Sequence, residues 1–293
     1  RPPRYTLFPY TTLFRSKPLQ NRNAILLTMH GKEQVISPIL ENLTGCLVQV
    51  RNDINTDEMG TFTLETPRPG TQLETARIKA HKAIEISECD MGLASEGSFG
   101  PYPSCPFINC NREIVFMVDS KNKIEIYGES LTLETNLDQR KIHGILDAIE
   151  FANKIGFPEH FLIANPAGVS NTFIKGINTW QSLGEAVSWG IINSPSEEVV
   201  LQTDMRAFAN PTRMKNIMKA TEDLASKILS ICPDCGMYGY ALSSYKRGAP
   251  CEWCKRPTDM IISEIYSCLK CMHCTEIIKE TGYADPGMCD FCN

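Results

Sequence analysis

The sequence predicts an α/β protein, a mixed sheet with flanking helices, followed by a small β-rich double ribbon at the C-terminal end. Three observations carry that prediction. Short apolar runs alternate with amphipathic helical stretches from residue 24 to residue 231, the pattern of a sheet covered by helices. Nine of the thirteen cysteines fall between Cys232 and Cys292, eight of them as four C-x-x-C pairs. No run of 18 apolar residues exists, so no membrane-spanning helix is expected. The 293 residues suffice for one large domain or two smaller ones, and a net charge of −5 argues against a broad nucleic-acid surface.

Residues 1–21 are expected to be non-native or disordered. Within them RPPRYTLFPYTTLFRS (1–16) resembles a translated adapter sequence and is not expected to take part in the fold. The α/β domain is expected over 22–220, with a possible sub-lobe at 140–200, and the ribbon with its linking helix end over 221–293. AILLT (24–28) reads as a strand, followed by the turn Met29-His30-Gly31-Lys32 and a helix to about Leu43. Gly45 stops that helix, and CLVQV (46–50) returns as a strand. A short strand is expected at 61–65. Thr71 with Glu74 forms a capping box for a helix to about Ser87, with Leu73, Ala76, Ala80, Ala83 and Ile84 on one face. The run 91–95 is a strand that breaks into the permissive loop EGSFGP (96–101), and 113–119 with 123–127 reads as a hairpin. Further on, 142–155 is an amphipathic helix, 161–164 and 199–203 are strands, 180–189 is helical, and 212–231 is the longest helix. That helix runs into Cys232 without a flexible linker, so the ribbon is expected to be docked.

Each C-x-x-C presents two thiolates to one metal. The pairs Cys232/Cys235, Cys251/Cys254, Cys268/Cys271 and Cys289/Cys292 therefore predict two closed four-thiolate sites, a double zinc ribbon with two structural Zn²⁺. Iron–sulfur clusters are the alternative for four thiolates. The arms between knuckles are 15, 13 and 17 residues long, and the first two contain strand-like stretches. An extended arm of about 8 residues spans roughly 26 Å. Strands out and back would pair knuckle one with three and two with four. His273 and Cys274 are left spare. Thiolate-held metal in a chain with no secretory signal pattern points to a reducing, cytoplasmic setting. The ribbon carries six Lys/Arg against eight Asp/Glu, which disfavours nucleic acid and leaves a folding staple or a protein-docking unit.

Three polar clusters could share one cleft. In the first, His30, Gly31 and Lys32 sit at a strand-to-helix turn, where a helix N-terminus and a Lys favour an anion. In the second, Glu65, Lys79, Asp90, Glu96 and Ser98 surround the strand at 91–95; carboxylates at strand ends suit Mg²⁺, or simple turn chemistry. In the third, Asn210 caps a helix with Pro211 at its first position, while Arg206, Arg213 and Lys215 ask for anions: a carboxylate such as Asp204, or a phosphate. Arg213, in the first turn, opposes the helix dipole.

HGKE (30–33), INTDEMGTF (54–62), ETARIKA (74–80), GLASEGSFGP (92–101), TDMRAFANPTRMK (203–215), CPDCG (232–236), PCEWC (250–254) and ADPGMCDFCN (284–293) together resemble an uncharacterised bacterial domain-of-unknown-function family. ETARIKA (74–80) resembles the E-N-A-x-x-K-A segment of inosine/xanthosine triphosphate pyrophosphatases. This second resemblance implies Mg²⁺-dependent hydrolysis of a nucleoside triphosphate. Glu96, Asp90 and Glu65 would be the metal-binding or water-activating carboxylates, and His30, Lys32, Lys79, Ser98, Arg206, Arg213 and Lys215 would contact the substrate. His30 and Thr75 stand where those enzymes have Asn, and the segment 140–200 and the ribbon have no counterpart in them. The rival expectation is a non-catalytic sensor or adaptor that binds a nucleotide-like anion in the same cleft.

Overall fold

The computed structural model describes residues 17–53, 69–280 and 282–293. The expected strand at 61–65, and Glu65 with it, lie outside the described residues, as does the stretch 1–16. Residues 17–21, which the sequence placed with the non-native stretch, are packed onto the fold. Leu19 is buried in the core, its amide donates to the Thr44 carbonyl, and the Asn21 amide donates to that of Gly45.

The first sheet has five strands in the order β2-β1-β3-β4-β5, with β1 Asn23–Leu27, β2 Leu47–Arg51, β3 Met91–Tyr102, β4 Cys105–Asp119 and β5 Ile124–Thr132. β1 runs parallel to β2 and β3, and the remaining pairs are antiparallel. α1 (Glu33–Thr44) and α5 (Pro211–Leu229) cover one face, with Ile36, Leu40, Ile217 and Leu224 packed on Leu26, Leu93, Val115 and Ile126. α2 (Gln72–Glu85) covers the other, with Ala76 and Ala80 on Ala94, Ile114 and Phe116. The helix ends follow their sequence signals. Gly45 closes α1 in the left-handed region (φ 81°), Thr71 and Glu74 form the capping box of α2, and the Asn210 side chain accepts from the Arg213 amide.

One expectation fails in an informative way. β3 does not break at Ser95; it continues through EGSFGP to Tyr102, paired residue by residue with β4. Two glycines and a proline read locally as a loop, but the long antiparallel ladder supplies hydrogen bonds that override the local preference. β4 likewise begins at Cys105, well before Glu113.

Between β5 and α5 lies a second sheet of four antiparallel strands in the order β6-β9-β7-β8, from Gln139–Ile142, Val199–Thr203, Leu162–Pro166 and Ile174–Ile177. With α3 (Ile145–Ile155) and α4 (Trp180–Ile192) it builds its own core around Phe151, Leu162, Leu183 and Leu201. The C-terminal module is a three-stranded antiparallel sheet of β10 Tyr240–Arg247, β11 Ile261–Cys268 and β12 Cys274–Ile278. Among the described residues no helix is long and apolar enough to cross a membrane.

Candidate functional site

β1 ends at Leu27, opposite Ala94, while β3 runs on for eight residues. β1 is also where the chain order switches, since its two parallel neighbours carry their helices on opposite faces of the sheet. The carboxyl end of such a switch point is where open α/β sheets leave a crevice. Into this notch the turn after β1 delivers Lys32. Its ammonium donates to the Ser95 carbonyl at 2.9 Å, just past the last residue that β1 pairs.

Alternation along β3 and β4 places two carboxylates on opposite faces of the sheet beside the notch. Glu96 shares the α2 face with Ala94, and there it forms a buried ion pair with Lys79. Gln72, from the same helix, donates to the Glu96 carbonyl at 2.8 Å and accepts from Ser98 at 2.9 Å. Glu113 shares the α5 face with Val115. It accepts from Arg213 Nε and from Asn111 Nδ2, both at 2.9 Å, and Asn111 in turn accepts from Asn216 at 2.8 Å. Glu113 Oε2 and Asn216 Oδ1 are buried without a hydrogen-bond partner among the described residues. Gly97 lies opposite Glu113, and a Cβ there would stand 2.4 Å from both Arg213 Nη2 and Glu113 Oε1. The strand must be bare at that point for the ion pair to lie flat on it.

Five charged side chains, each at least nine-tenths buried, thus meet at one end of the sheet: Lys32, Lys79 and Arg213 against Glu96 and Glu113. Burial is the largest influence on Lys32, and Arg213 is the next; Glu96 and Glu113 pull the other way, and the ammonium ends at about 8.

The other expected site residues fall elsewhere or have other partners. Asp90 precedes β3 at its opposite end, six residues or roughly 20 Å of strand from Glu96. It pairs with Arg22 at 2.9 Å, so the two carboxylates do not converge. Arg206 finds its anion in the fully buried Asp204, through Nε at 2.9 Å and Nη2 at 2.5 Å. Arg213 finds its own in Glu113 rather than Asp204, and it faces into the sheet. Lys215, two residues on, is exposed on the far side of α5, near Glu134. His30 stands at the mouth, its ring 5.9 Å from that of Phe208, over which the Arg206 guanidinium lies at 4.8 Å.

Sequence reasoning missed Glu113, Asn111, Asn216 and Gln72. One signal was available: EIVFMVD is apolar at both parities between its two acidic ends, the pattern of a strand buried on both faces, so a Glu within it needs a buried partner. Treating Glu113 as the strand's first residue hid it.

The cysteines form two groups, Cys232, Cys235, Cys268 and Cys271, and Cys251, Cys254, Cys289 and Cys292, the crossed pairing that the arm lengths predict. Each could hold a metal ion. In the first group Sγ of Cys232 lies 3.7 Å from Cys271 and that of Cys235 lies 3.6 Å from Cys268; in the second, Cys251–Cys292 and Cys254–Cys289 are 3.8 and 3.6 Å apart. A regular tetrahedron with metal–sulfur bonds of about 2.3 Å has edges of about 3.8 Å. Sulfurs converging on one point suit a single ion, whereas an iron–sulfur cluster spreads its thiolates over several irons. His273 and Cys274 belong to neither group.

The first group is bolted to the α/β sheet. Tyr238, in the loop after its first knuckle, donates to Asp119 at the end of β4, and Asp119 also accepts from Arg22 and from Asn122. Lys270, in the third knuckle, donates to the Asn122 carbonyl at 2.7 Å.

A family described as a domain of unknown function, DUF6671, matches residues 79–293, which takes in β3, β4, the second sheet, α5 and both cysteine groups. No curated protein matches the chain.

Proposed function

The chain belongs to the DUF6671 family, and because that description assigns no activity, we propose a function from the notch itself: it binds a phosphate-bearing small molecule, a nucleotide being the class to test first. One observation carries the reading. Lys79 is paired with Glu96 on one face of the sheet and Arg213 with Glu113 on the other, so the buried Lys32 ammonium, at the carboxyl end of β1, is left as positive charge in excess among the described residues. Among the described residues the Lys32 ammonium has one hydrogen bond, to Ser95, and keeps donors for an anion. Arg213 keeps Nη2 beside Gly97. Phosphate oxygens would complete both.

Hydrolysis is the finer form of this reading, as the likeness of ETARIKA to nucleoside triphosphate pyrophosphatases implies. In that form Glu96 would be the Mg²⁺ carboxylate and would have to leave its ion pair with Lys79; Asp90 is too distant to share that ion. Calorimetric titration of the full chain with phosphate, pyrophosphate, ATP and ITP, with and without Mg²⁺, tests both forms. Binding that Lys32→Met weakens at least tenfold supports the site, and no binding of any of the four overturns it. Mg²⁺-dependent pyrophosphate release that Glu96→Gln abolishes makes the protein a hydrolase. Tight binding without turnover makes it a sensor.

In the ribbon, the two thiolate tetrahedra are read as structural Zn²⁺ sites, which hold the knuckles and with them the fold of the module. Metal on eight thiolates fits a reducing compartment such as the cytoplasm. Metal analysis of the purified chain should find about two zinc per chain, and any other stoichiometry would sink this assignment.

A further inference from the structure

The second cysteine group sits at the free end of the ribbon, and its surroundings differ from those of the first. Four large side chains beside it are mostly exposed: Trp253 at 73%, Met288 at 63%, Phe291 at 62% and Tyr283 at 59%. None of them is on a loose loop. Trp253 lies between Cys251 and Cys254, and Phe291 between Cys289 and Cys292. Met288 precedes Cys289, and Tyr283 precedes Ala284, whose carbonyl accepts from the Glu252 amide at 3.0 Å. A metal in the group would fix all four. A rigid cluster of exposed aromatic and thioether side chains is uncommon on a protein surface and marks an interaction site.

The charges nearby say what kind of partner fits. Three cations, Lys255, Arg256 and Arg247, the last of which donates to the Asp259 carbonyl at 2.6 Å, are present against four exposed carboxylates, Glu252, Asp259, Asp285 and Asp290. One ion on four thiolates adds about −2. Two of the cations are already placed on rings: Lys255 Nζ stands 3.7 Å from the Tyr283 centroid, and Arg256 Cζ 4.3 Å from that of Phe291. Trp253, the ring with the strongest attraction for a cation, has no ring or cation partner among the described residues. A nucleic-acid strand would bring phosphates to an acidic surface, which repels them.

We propose that this tip docks a basic segment of a partner protein, in which an Arg or Lys stacks on Trp253 and apolar neighbours pack on Met288 and Phe291. Charge complementarity selects the segment, and the aromatic cluster anchors it. The site is separate from the notch and does not depend on what the notch binds.

Fluorescence anisotropy on the metal-loaded full chain tests this with labelled probes of equal length: an Arg/Leu peptide, a Glu/Leu peptide, a Gly/Ser peptide and a single-stranded RNA. The Arg/Leu peptide should bind at least tenfold tighter than the other three, and more weakly as salt rises. Trp253→Ala should weaken it about tenfold while the metal content per chain stays unchanged. Glu252→Lys with Asp290→Lys, which leaves the rings in place, should weaken it as well. Equal or tighter binding of the acidic peptide or the RNA overturns the proposal. So does the absence of binding by any peptide, or an unchanged affinity in the Trp253→Ala protein that retains its metal.

Discussion

Lys32 and Glu113 show how one side chain sets the chemistry of the notch. Lys32 titrates at about 8, so its charge changes just above neutrality. Below that pH the ammonium is present and attracts an anion. As pH rises through 8 the free site loses its proton, and phosphate affinity should fall by up to about tenfold per pH unit. Titrations at pH 6, 7, 8 and 9 check this, and a flat profile would exclude Lys32 as the anion ligand. The stability effect has the opposite sign. The cost of burying the charged amine is fully present below 8 and is relieved between 8 and the ordinary lysine value. Glu113 is completely buried and is the anion for Arg213. Glu113→Ala would leave a buried guanidinium unpaired and should cost about 3–5 kcal/mol in urea denaturation. A loss below 1 kcal/mol would mean that Arg213 escapes to solvent.

At the scale of elements, the notch depends on how α5 lies on the sheet. Gly128, in β5, faces that helix: a Cβ there would stand 2.1 Å from the Ala220 carbonyl oxygen and 2.3 Å from the Leu224 amide nitrogen. Those are backbone atoms, so no rotamer change relieves the clash, and the helix itself must shift. Gly128→Ala should therefore destabilise by about 3 kcal/mol or more, at the upper end of overpacking costs. It should also weaken ligand binding, because Arg213 rides on the same helix. An unaltered midpoint in denaturant would show that α5 is not held this close. Helix positions and caps were legible in the sequence because N-caps, Gly stops and apolar periodicity are local signals. The extent of β3 and β4 was not. EGSFGP has loop composition, and only the opposite strand makes it extended; hence Glu96 was expected in a loop, though it lies in a ladder.

At the scale of the whole molecule, Asp119 joins the two ends of the chain. Burial works against its charge, but hydrogen bonds from Arg22, Tyr238 and Asn122 outweigh burial and hold the carboxyl at about 2. The folded value lies below the unfolded one, so the stabilisation is complete above about pH 4 and is lost as pH falls from there towards 2. It amounts to about 2 kcal/mol. Denaturation at pH 5 and pH 2.5 should show this loss in the wild type and not in Asp119→Asn; equal losses in the two would place the acid sensitivity elsewhere. Through Tyr238, the same carboxylate ties the first cysteine group to the sheet, so Asp119→Asn should also speed chelator removal of metal from that group.

The α/β class, the five helices to within a few residues, the eight clustered cysteines and their crossed pairing were legible in the sequence, although the helix expected at 142–155 begins at Ile145 because Ile142 ends β6. Each of these follows from short-range spacing: 3.6-residue periodicity, capping residues, and two-residue gaps between thiols joined by arms of countable length. Only the tertiary structure decided which charges meet. Lys32 and Arg213 are brought together by helices about 180 residues apart in the chain, and Asp90, just before β3, is separated from Glu96 by the first residues of that extended strand. Partners of buried charges are chosen by sheet register and by the face on which each side chain emerges. Those are long-range properties, since a carboxylate excluded from water takes whichever cation the packing brings within reach.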